Sequence, residues 1–322
     1  MTQRTAIVCG GGGFIGGHLV AQLVEDGYRV RAVDRRESPY GTSAAPDYVI
    51  ADLRDPDECR RAFEDGADEI YQLGADMGGM EFIASAECDI MRNNIAMNFN
   101  VLDAATQAGV DRYFFSSSVC VYRDMALGED TIDEDAAYPA APDNEYGWEK
   151  LYAERAVQAY GRQHGFAARI ARFENCYGPR GAWRGGREKA PAALCRKVAE
   201  ASDPGSIEVF GGGKTHRSFV YVKDLVRAVR CLMDSDEARP TNIGCDESVS
   251  IAELVELVAE VADKRISIVD VPGPLGVMSR NFSHERIRAL GWKPEYSLRD
   301  GLEETYPWIA EQVARAAKDG GA

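Results

Sequence analysis

The sequence lacks the features of a membrane-spanning, secreted or nucleic-acid-binding protein. No apolar segment approaches the roughly 18 residues of a membrane helix, because glycines interrupt the uncharged stretch from Thr5 to Val24. The eight cysteines include no Cys-x-x-Cys pair, which favours a reducing compartment over a disulfide framework. Positive charge is in deficit, 37 Lys and Arg against 52 Asp and Glu, and a net charge of −15 repels nucleic acid and anionic lipid. We therefore expect a cytoplasmic protein with neither nucleic acid nor membrane among its partners.

What the chain does contain is the average composition of a globular protein, in a chain of the size of many enzymes. It has 322 residues, 45% of them hydrophobic and 28% charged, and at roughly 150 residues per domain this length suits about two domains. The first domain is predicted at 1–178, rejoined by about 215–245, where a helical pattern returns the chain. A smaller lobe, mainly for substrate binding, is predicted at 179–322, because glycine and arginine become dense after Gly178.

Short apolar runs alternate with helical patterns in the first half, which predicts an α/β fold with a doubly wound parallel sheet. Strands are predicted at Thr5–Cys9, Arg29–Val33, Glu69–Leu73, Arg112–Ser116 and Ala167–Ala171. Helices are predicted at Phe14–Glu25, Asp57–Phe63, Asn94–Ala108 and Tyr146–His164. The strand-helix alternation places the ends of several strands at one edge of the sheet.

The glycine-rich segment Gly10–Gly16 follows the first strand and opens the first helix, as in a Rossmann-type dinucleotide site. Without Cβ atoms the backbone can approach a pyrophosphate, whose charge then lies on N–H groups at the helix N-terminus. Asp34 ends the second strand, where it can accept both ribose hydroxyls. Arg35 and Arg36 leave NADP open, but Asp34 would face a 2′-phosphate, so NAD is favoured. Asp52 either reaches the adenine edge or is a solvated loop acid. The predicted cofactor-binding residues are Gly10, Gly13, Phe14, Ile15, Gly16, Asp34, Asp52, Tyr146 and Lys150.

Tyr146 and Lys150 lie on one face of a predicted helix, in a Tyr-x-x-x-Lys pattern. For Tyr146 to act as a base near neutral pH its pKa must fall by about three units. The Lys150 ammonium, helped by an oxidised nicotinamide, can supply that shift. The pattern alone is common, but downstream of a dinucleotide loop and of the serine run Ser116–Ser118 it predicts redox chemistry.

From end to end the chain resembles the extended short-chain dehydrogenase/reductase superfamily. The segments Ala75–Met80, Ser117–Tyr122, Tyr177–Pro179 and above all Trp183–Ala193 are similar to the GDP-mannose 3,5-epimerase family within it. The resemblance implies transient NAD-dependent oxidation at C4 of a GDP-hexose, epimerisation at C5 and/or C3, and re-reduction to GDP-L-galactose and/or GDP-L-gulose. It assigns the two acid/base roles to Cys120 and Lys189.

The resemblance also implies the remaining site residues. The catalytic set is Tyr146, Lys150, Cys120, Lys189 and Ser118. The substrate-binding set is Gly79, Met80, Ser118, Glu174, Asn175, Arg187, Glu188, Lys189, Lys214, Arg217 and Arg280. The segment from Arg180 to Lys189 contains four cations and one acid. This cluster either binds a diphosphate or is a solvated patch on a loop. No metal site is implied.

Other readings compete with this one. Another nucleotide-sugar enzyme, a 4-epimerase or a 4,6-dehydratase, would use the same loop and Tyr-x-x-x-Lys pair. Dehydratases resemble one another in an Asp-Glu pair after the serine run, where this chain has Val119 and Cys120, which argues against dehydration. A non-catalytic NAD-sensing scaffold is a remote alternative. By analogy, helices 94–108 and 146–164 predict a homodimer.

Overall fold

The fold of the protein is given by a computed structural model, which describes residues 3–39, 41, 43–124, 131–272 and 281–319. The strands are β1 (Thr5–Cys9), β2 (Arg29–Asp34), β3 (Asp47–Ile50), β4 (Glu69–Gln72), β5 (Arg112–Ser118), β6 (Ala167–Phe173), β7 (Cys176–Tyr177), β8 (Gly205–Phe210), β9 (His216–Ser218), β10 (Val220–Tyr221), β11 (Thr241–Ile243), β12 (Ser248–Ser250) and β13 (Ile266–Val271). The helices are α1 (Phe14–Glu25), α2 (Pro56–Ala62), α3 (Met80–Ser85), α4 (Glu87–Ala108), α5 (Glu145–His164), α6 (Ala190–Glu200), α7 (Val222–Asp234), α8 (Ile251–Val261), α9 (Glu285–Ala289) and α10 (Leu298–Asp319).

Seven strands form one parallel sheet in the order β11-β6-β5-β4-β1-β2-β3. Strands β1, β5 and β6 are buried over most of their length, as expected where helices cover both faces of a parallel sheet. One apolar core lies on the face covered by α1 and α7, and a second lies on the face covered by α2, α4 and α5. The predicted α/β fold with a Rossmann-type doubly wound sheet is confirmed.

The chain after residue 179 contributes to this sheet as well as to a smaller lobe. Strand β11 pairs with β6 at one end of the large sheet, and α7 packs on the sheet beside α1. Helices α6, α8 and α10 pack together with the two-stranded β8–β13 sheet. The domain boundaries themselves remain a prediction. In the part of the chain that the structure describes, no helix is both long and apolar enough to cross a lipid bilayer.

Several elements extend beyond their predicted bounds, among them helix α4 and strand β5. Helix α4 begins at Glu87 rather than Asn94, because its first turns mix charged and polar residues with Ile90 and Met91 and show no clear apolar period. Strand β5 continues past Ser116 through Ser118, since its serine side chains are buried despite being polar. These additions lie beside the candidate site described next.

Candidate active site

Helix α5 carries the Tyr146–Lys150 pair across the end of β5. The Asn144 side chain accepts a hydrogen bond from Gly147 N and so caps the helix start, which places Tyr146 in its first turn. Both side chains of the pair are buried, with residue exposures of 4% and 1%. The Lys150 ammonium donates to Ser116 O at 3.0 Å and lies 5.7 Å from the centre of the Tyr146 ring. The predicted pairing on one helix face is therefore present.

The pKa of Tyr146 in the protein alone differs from the sequence-based expectation. Burial raises it well above its usual value, the charges of Cys120 and Glu149 add to the rise, and a hydrogen bond with Ser118 opposes it. Burial also lowers the pKa of Lys150, partly offset by the carboxylates of Glu149 and Glu154. Lys150 alone does not make Tyr146 a base, because desolvation of the phenolate outweighs it. Ionising Tyr146 calls for a second positive charge nearby.

Cys120 lies on a 3-10 turn, Val119–Val121, that directly follows β5. The turn begins at Ser118, whose hydroxyl accepts a hydrogen bond from Cys120 N at 3.2 Å. A Cβ at Gly147 would lie 2.1 Å from Cys120 O, so only glycine lets α5 pack this closely on the turn. The half-buried Cys120 side chain packs in the same cluster as Tyr146.

Lys189 is the residue just before α6, at its N-cap position. Burial lowers the pKa of its ammonium, and the neighbouring Cys120 and Cys176 thiols act in the opposite direction. Cys120 is therefore within electrostatic range of both Tyr146 and Lys189. The structure thus brings together the five residues predicted as catalytic, which are Ser118, Cys120, Tyr146, Lys150 and Lys189.

The basic loop before Lys189 is partly engaged within the protein. The guanidinium of Arg184 stacks 4.7 Å from the Trp183 ring. That of Arg187 lies 3.8 Å from the centre of the Phe82 ring and 3.4 Å from Asp76. Glu188 has one oxygen 3.5 Å from Arg196, while Oε2 is buried with no hydrogen-bond partner among the described residues. A buried carboxylate oxygen without a donor is a candidate to accept a hydrogen bond from a ligand.

Glu174, predicted to bind substrate, lies in a buried polar chain. Its carboxylate accepts from Ser218 Oγ and lies 2.6 Å from His284 Nε2, while His284 Nδ1 lies 2.7 Å from Asp246. The two carboxylates raise the pKa of His284 against the effect of burial. Sequence reasoning missed His284 and Asp246, because both lie far from Glu174 along the chain.

The other predicted substrate residues are spread around this edge of the sheet. Gly79 is buried, Asn175 accepts a backbone hydrogen bond from Val220 N, Lys214 is exposed, and Arg217 is half-buried on β9. Met80 is the first residue of α3. Arg280 lies outside the described residues.

A buried ion pair supports the strand that ends at the serine run, and the sequence analysis did not identify it. Arg172 on β6 donates to both carboxylate oxygens of Glu154 on α5, at 2.8 and 2.7 Å. Ser117 Oγ donates to the same carboxylate at 2.6 Å, and Arg172 also donates to the Tyr122 hydroxyl at 2.9 Å. An arginine inside an apolar strand was the available signal.

The glycine loop is packed so tightly that two of its positions leave no room for a side chain. A Cβ at Gly16 would lie 2.1 Å from Gly10 O, and one at Gly12 would lie 2.1 Å from the Tyr48 hydroxyl. Gly10 adopts φ 73°, in the left-handed region that favours glycine. Gly13 is the N-cap of α1, followed by the half-buried Phe14 and Ile15. The first turn of α1 therefore begins directly at the loop, where the N–H groups of a helix N-terminus can bind an anion.

The two acids predicted at the cofactor differ in their surroundings. Asp34 ends β2 and accepts from Gly12 N at 3.2 Å, so it lies against the glycine loop. Burial raises its pKa, and backbone N–H groups oppose the rise. Asp52 is held by Arg54 at 2.5 Å, which lowers its pKa. Asp34 thus adjoins the loop directly, whereas Asp52 stands beyond the end of β3.

Comparison with known proteins agrees with this arrangement. Residues 6–244 match the model of the NAD dependent epimerase/dehydratase family. The chain belongs to this family. As a family member it is an NAD-dependent epimerase. It is 40% identical to GDP-mannose 3,5-epimerase 1 of Oryza sativa subsp. japonica, over 97% of this chain and 83% of that protein. It is also 40% identical to GDP-mannose 3,5-epimerase of Arabidopsis thaliana, over 97% of this chain and 84% of that protein.

Among solved structures, the fold is similar to that of UDP-glucose 4-epimerase from Thermotoga maritima, with a TM-score of 0.87. The two chains are 24% identical, and the match covers 96% of this chain and 99% of the other. At that identity the similarity supports the fold alone and does not identify the sugar substrate.

Proposed function

We propose that this family member is a GDP-mannose 3,5-epimerase, forming GDP-L-galactose, GDP-L-gulose or both. The observation that carries the proposal is identity of 40% across 97% of the chain to proteins of that name. The 4-epimerases that share the fold are 24% identical in the example above. A dehydratase or a non-catalytic scaffold is not favoured by these relatives.

The glycine loop Gly10–Gly16 and Asp34 would hold NAD, with Asp52 at its far end. When bound, NAD supplies a positive charge beside Tyr146 and a hydride acceptor that is regenerated in each turnover. The loop is suited to this because its glycines allow the tight turn that brings the start of α1 close to Asp34. Asp34 lies against the glycine loop, where its carboxylate can accept hydrogen bonds from both hydroxyls of a ribose, which favours NAD over NADP.

Tyr146 is the proposed base for the C4 hydroxyl of the sugar. Its hydrogen bond with Ser118 orients the phenol and stabilises the phenolate. Lys150, fixed on Ser116 O, adds a positive charge from the same helix face. Oxidation at C4 acidifies the flanking C–H bonds, because the resulting carbanion is delocalised onto the C4 oxygen.

Cys120 and Lys189 are the proposed pair that moves protons at C5 and C3. Inversion needs one group to remove a proton and another to return one on the opposite face of the ring. Cys120 approaches from the turn after β5, and Lys189 from the loop before α6. The lowered pKa of Lys189 favours a group that can exchange protons near neutral pH.

Glu188 is a proposed ligand of the sugar hydroxyls, because its buried Oε2 needs a donor. Gly79, Met80, Asn175 and Glu174 are proposed to border the sugar. The diphosphate is proposed to bind the cations Lys214, Arg217 and Arg280, with Arg180 and Arg184 nearby.

The test is NMR of GDP-mannose incubated with the purified protein in heavy water, without added reductant. We expect deuterium at C5, at C3 or at both, together with a new epimer. Accumulation of a 4-keto-6-deoxy sugar would instead identify a dehydratase. Inversion at C4 without exchange at C3 or C5 would identify a 4-epimerase.

We also propose a homodimer formed by α4 and α5. On α5 the large side chains Trp148 and Tyr152 are 41% and 54% exposed, and Phe99 of α4 packs against Tyr152 at 6.1 Å. Aromatic side chains on adjacent helices are typical of subunit contacts. Light scattering at micromolar concentration tests this, and Tyr152→Arg should convert a dimer to monomers.

All eight cysteines are free, which favours the cytoplasm as compartment.

A further inference from the structure

Two loops pack against each other at the candidate site. One is residues 76–79, between β4 and α3, and the other is residues 186–188, before α6. A Cβ at Gly79 would lie 3.2 Å from Gly186 O and 3.5 Å from Glu188 O. The backbones of the two loops are therefore in van der Waals contact, and Gly79 permits that approach.

Arg187 closes this contact with its side chain. It donates to Met77 O at 3.1 Å and to Asp76 Oδ1 at 3.4 Å, and its guanidinium stacks on the Phe82 ring. Both hydrogen bonds come from one nitrogen, Nη1, while the face of the guanidinium covers the Phe82 ring, and a lysine has no such planar face. The side chain is thereby directed to the 76–79 loop.

Asp76 continues the contact toward the Tyr146–Lys150 helix. Its Oδ2 accepts from Asn93 at 3.0 Å, and its backbone N and O both bond the Asn94 amide, at 2.6 and 3.2 Å. Asn94 donates in turn to Glu149 at 3.2 Å, one residue before Lys150. A continuous chain of polar contacts thus runs from α5 through Asp76 to the loop that carries Lys189.

We propose that Arg187 and Asp76 are positioning residues that set the place of Lys189 relative to the Tyr146–Lys150 pair. Lys189 lies two residues after Arg187 at the N-cap of α6, where its carbonyl accepts a hydrogen bond from Ala193 N at 3.0 Å, while the loop before it is irregular and contacts the 76–79 loop through Arg187. Misplacing a reacting group by about 1 Å can cost about 10²-fold in rate. Arg187 accordingly acts through the loop and is not a diphosphate ligand. The inference rests on the proposed function for its catalytic readout only.

The test compares Arg187→Ala, Asp76→Ala and Asp76→Asn in the NAD-loaded protein. We expect Arg187→Ala and Asp76→Ala each to lower kcat for exchange at C3 and C5 by about 10- to 100-fold, with KM changed by no more than about twofold. Asp76→Asn keeps an oxygen acceptor and should recover most of the rate. The double alanine variant should lose no more than either single one, because the two residues act as one unit.

Two measurements without turnover complete the test. Backbone hydrogen exchange at residues 186–189 should accelerate in both alanine variants. The Kd for GDP, by calorimetry, should stay within about twofold, since no ligand of the diphosphate is lost. Arg315→Ala removes an equal charge from the exposed face of α10 and should change neither.

A GDP affinity about tenfold weaker in Arg187→Ala would overturn the proposal and make Arg187 a diphosphate ligand. Unchanged hydrogen exchange at 186–189 would overturn it as well. If the unmodified protein placed no deuterium in GDP-mannose, the proposed function would fail. The hydrogen exchange would still decide the role of the Asp76–Arg187 contact.

Discussion

The two halves of the candidate site are built in different ways. Tyr146 and Lys150 lie on a capped helix whose side chains pack on the central sheet, and both are almost wholly buried. Cys120 and Lys189 lie on a short turn and on an irregular loop, and both are only partly buried. The redox pair lies within a helix, whereas Lys189 joins α6 only at its N-cap, through its carbonyl, and follows a loop whose Arg187 side chain contacts Asp76.

This difference fits the proposed reaction, in which the two pairs of residues have different tasks. The redox pair acts at one atom, C4, and needs one fixed geometry. The acid/base pair must serve two carbons, C3 and C5, on either side of C4, which requires a change in the relative position of sugar and protein. Loop residues with lower local stability are suited to that task. Two substitutions separate the halves experimentally.

Tyr146→Phe should have the largest effect. It keeps the ring among Ile83 and Ile90 but removes the phenol that takes the hydroxyl proton. Exchange at C3 and C5 should both fall, at the upper end of about 10²- to 10⁴-fold, because no ketone forms to acidify either carbon. NMR in heavy water measures each carbon. Tyr160→Phe, later on the same helix, is the matched control and should keep its rate.

Cys120→Ala should impair proton transfer at C3 and C5 and leave oxidation at C4 intact. Epimerisation should fall by about 10²-fold or more, while reduced cofactor still forms on the protein and is seen by its absorbance. Cys88→Ala, on the exposed start of α4, removes a thiol remote from the turn and serves as control. Full exchange at both carbons in Cys120→Ala would return this thiol to an ordinary packing role.

The same contrast explains how much could be predicted from sequence. The sheet, the glycine loop and the Tyr146–Lys150 pair follow from local patterns, since spacing four on a helix fixes a shared face. Cys120 and Lys189 carry no such period, and only resemblance to a family identified them. The partners of Glu174 required the fold, because His284 reaches it from a segment 110 positions along the chain.

Sequence analysis also described the basic loop incompletely. The charges between Arg180 and Lys189 could be counted from the sequence, but the contacts of each guanidinium could not be predicted from it. Arg184 stacks on Trp183, and Arg187 stacks on Phe82 beside Asp76. Charge alone does not separate a ligand of phosphate from a residue that holds a loop.

The smallest effect is expected for the buried chain at Glu174, and it concerns pH and stability. The pKa of His284 is raised in the fold by its pairing with Glu174 and Asp246, and Arg288 of α9 bonds the same Asp246. A raised pKa means that the folded state binds a proton more tightly than the unfolded state does. The stabilisation is therefore complete below the ordinary histidine pKa of 6.5 and is lost as pH rises through the folded value.

Between those two pKa values the free energy of unfolding should fall by up to about 1.4 kcal/mol per pH unit. Asp246 has a lowered pKa, so its own contribution is lost only toward acid, near or below 3.8, outside this window. Urea unfolding at a series of pH values should show the fall in the unmodified protein and a flatter profile in His284→Gln. His164→Gln, at the exposed end of α5, makes the same change without a carboxylate pair and should keep the fall. Parallel profiles for the unmodified protein and His284→Gln would mean that the folded state does not raise the pKa of His284.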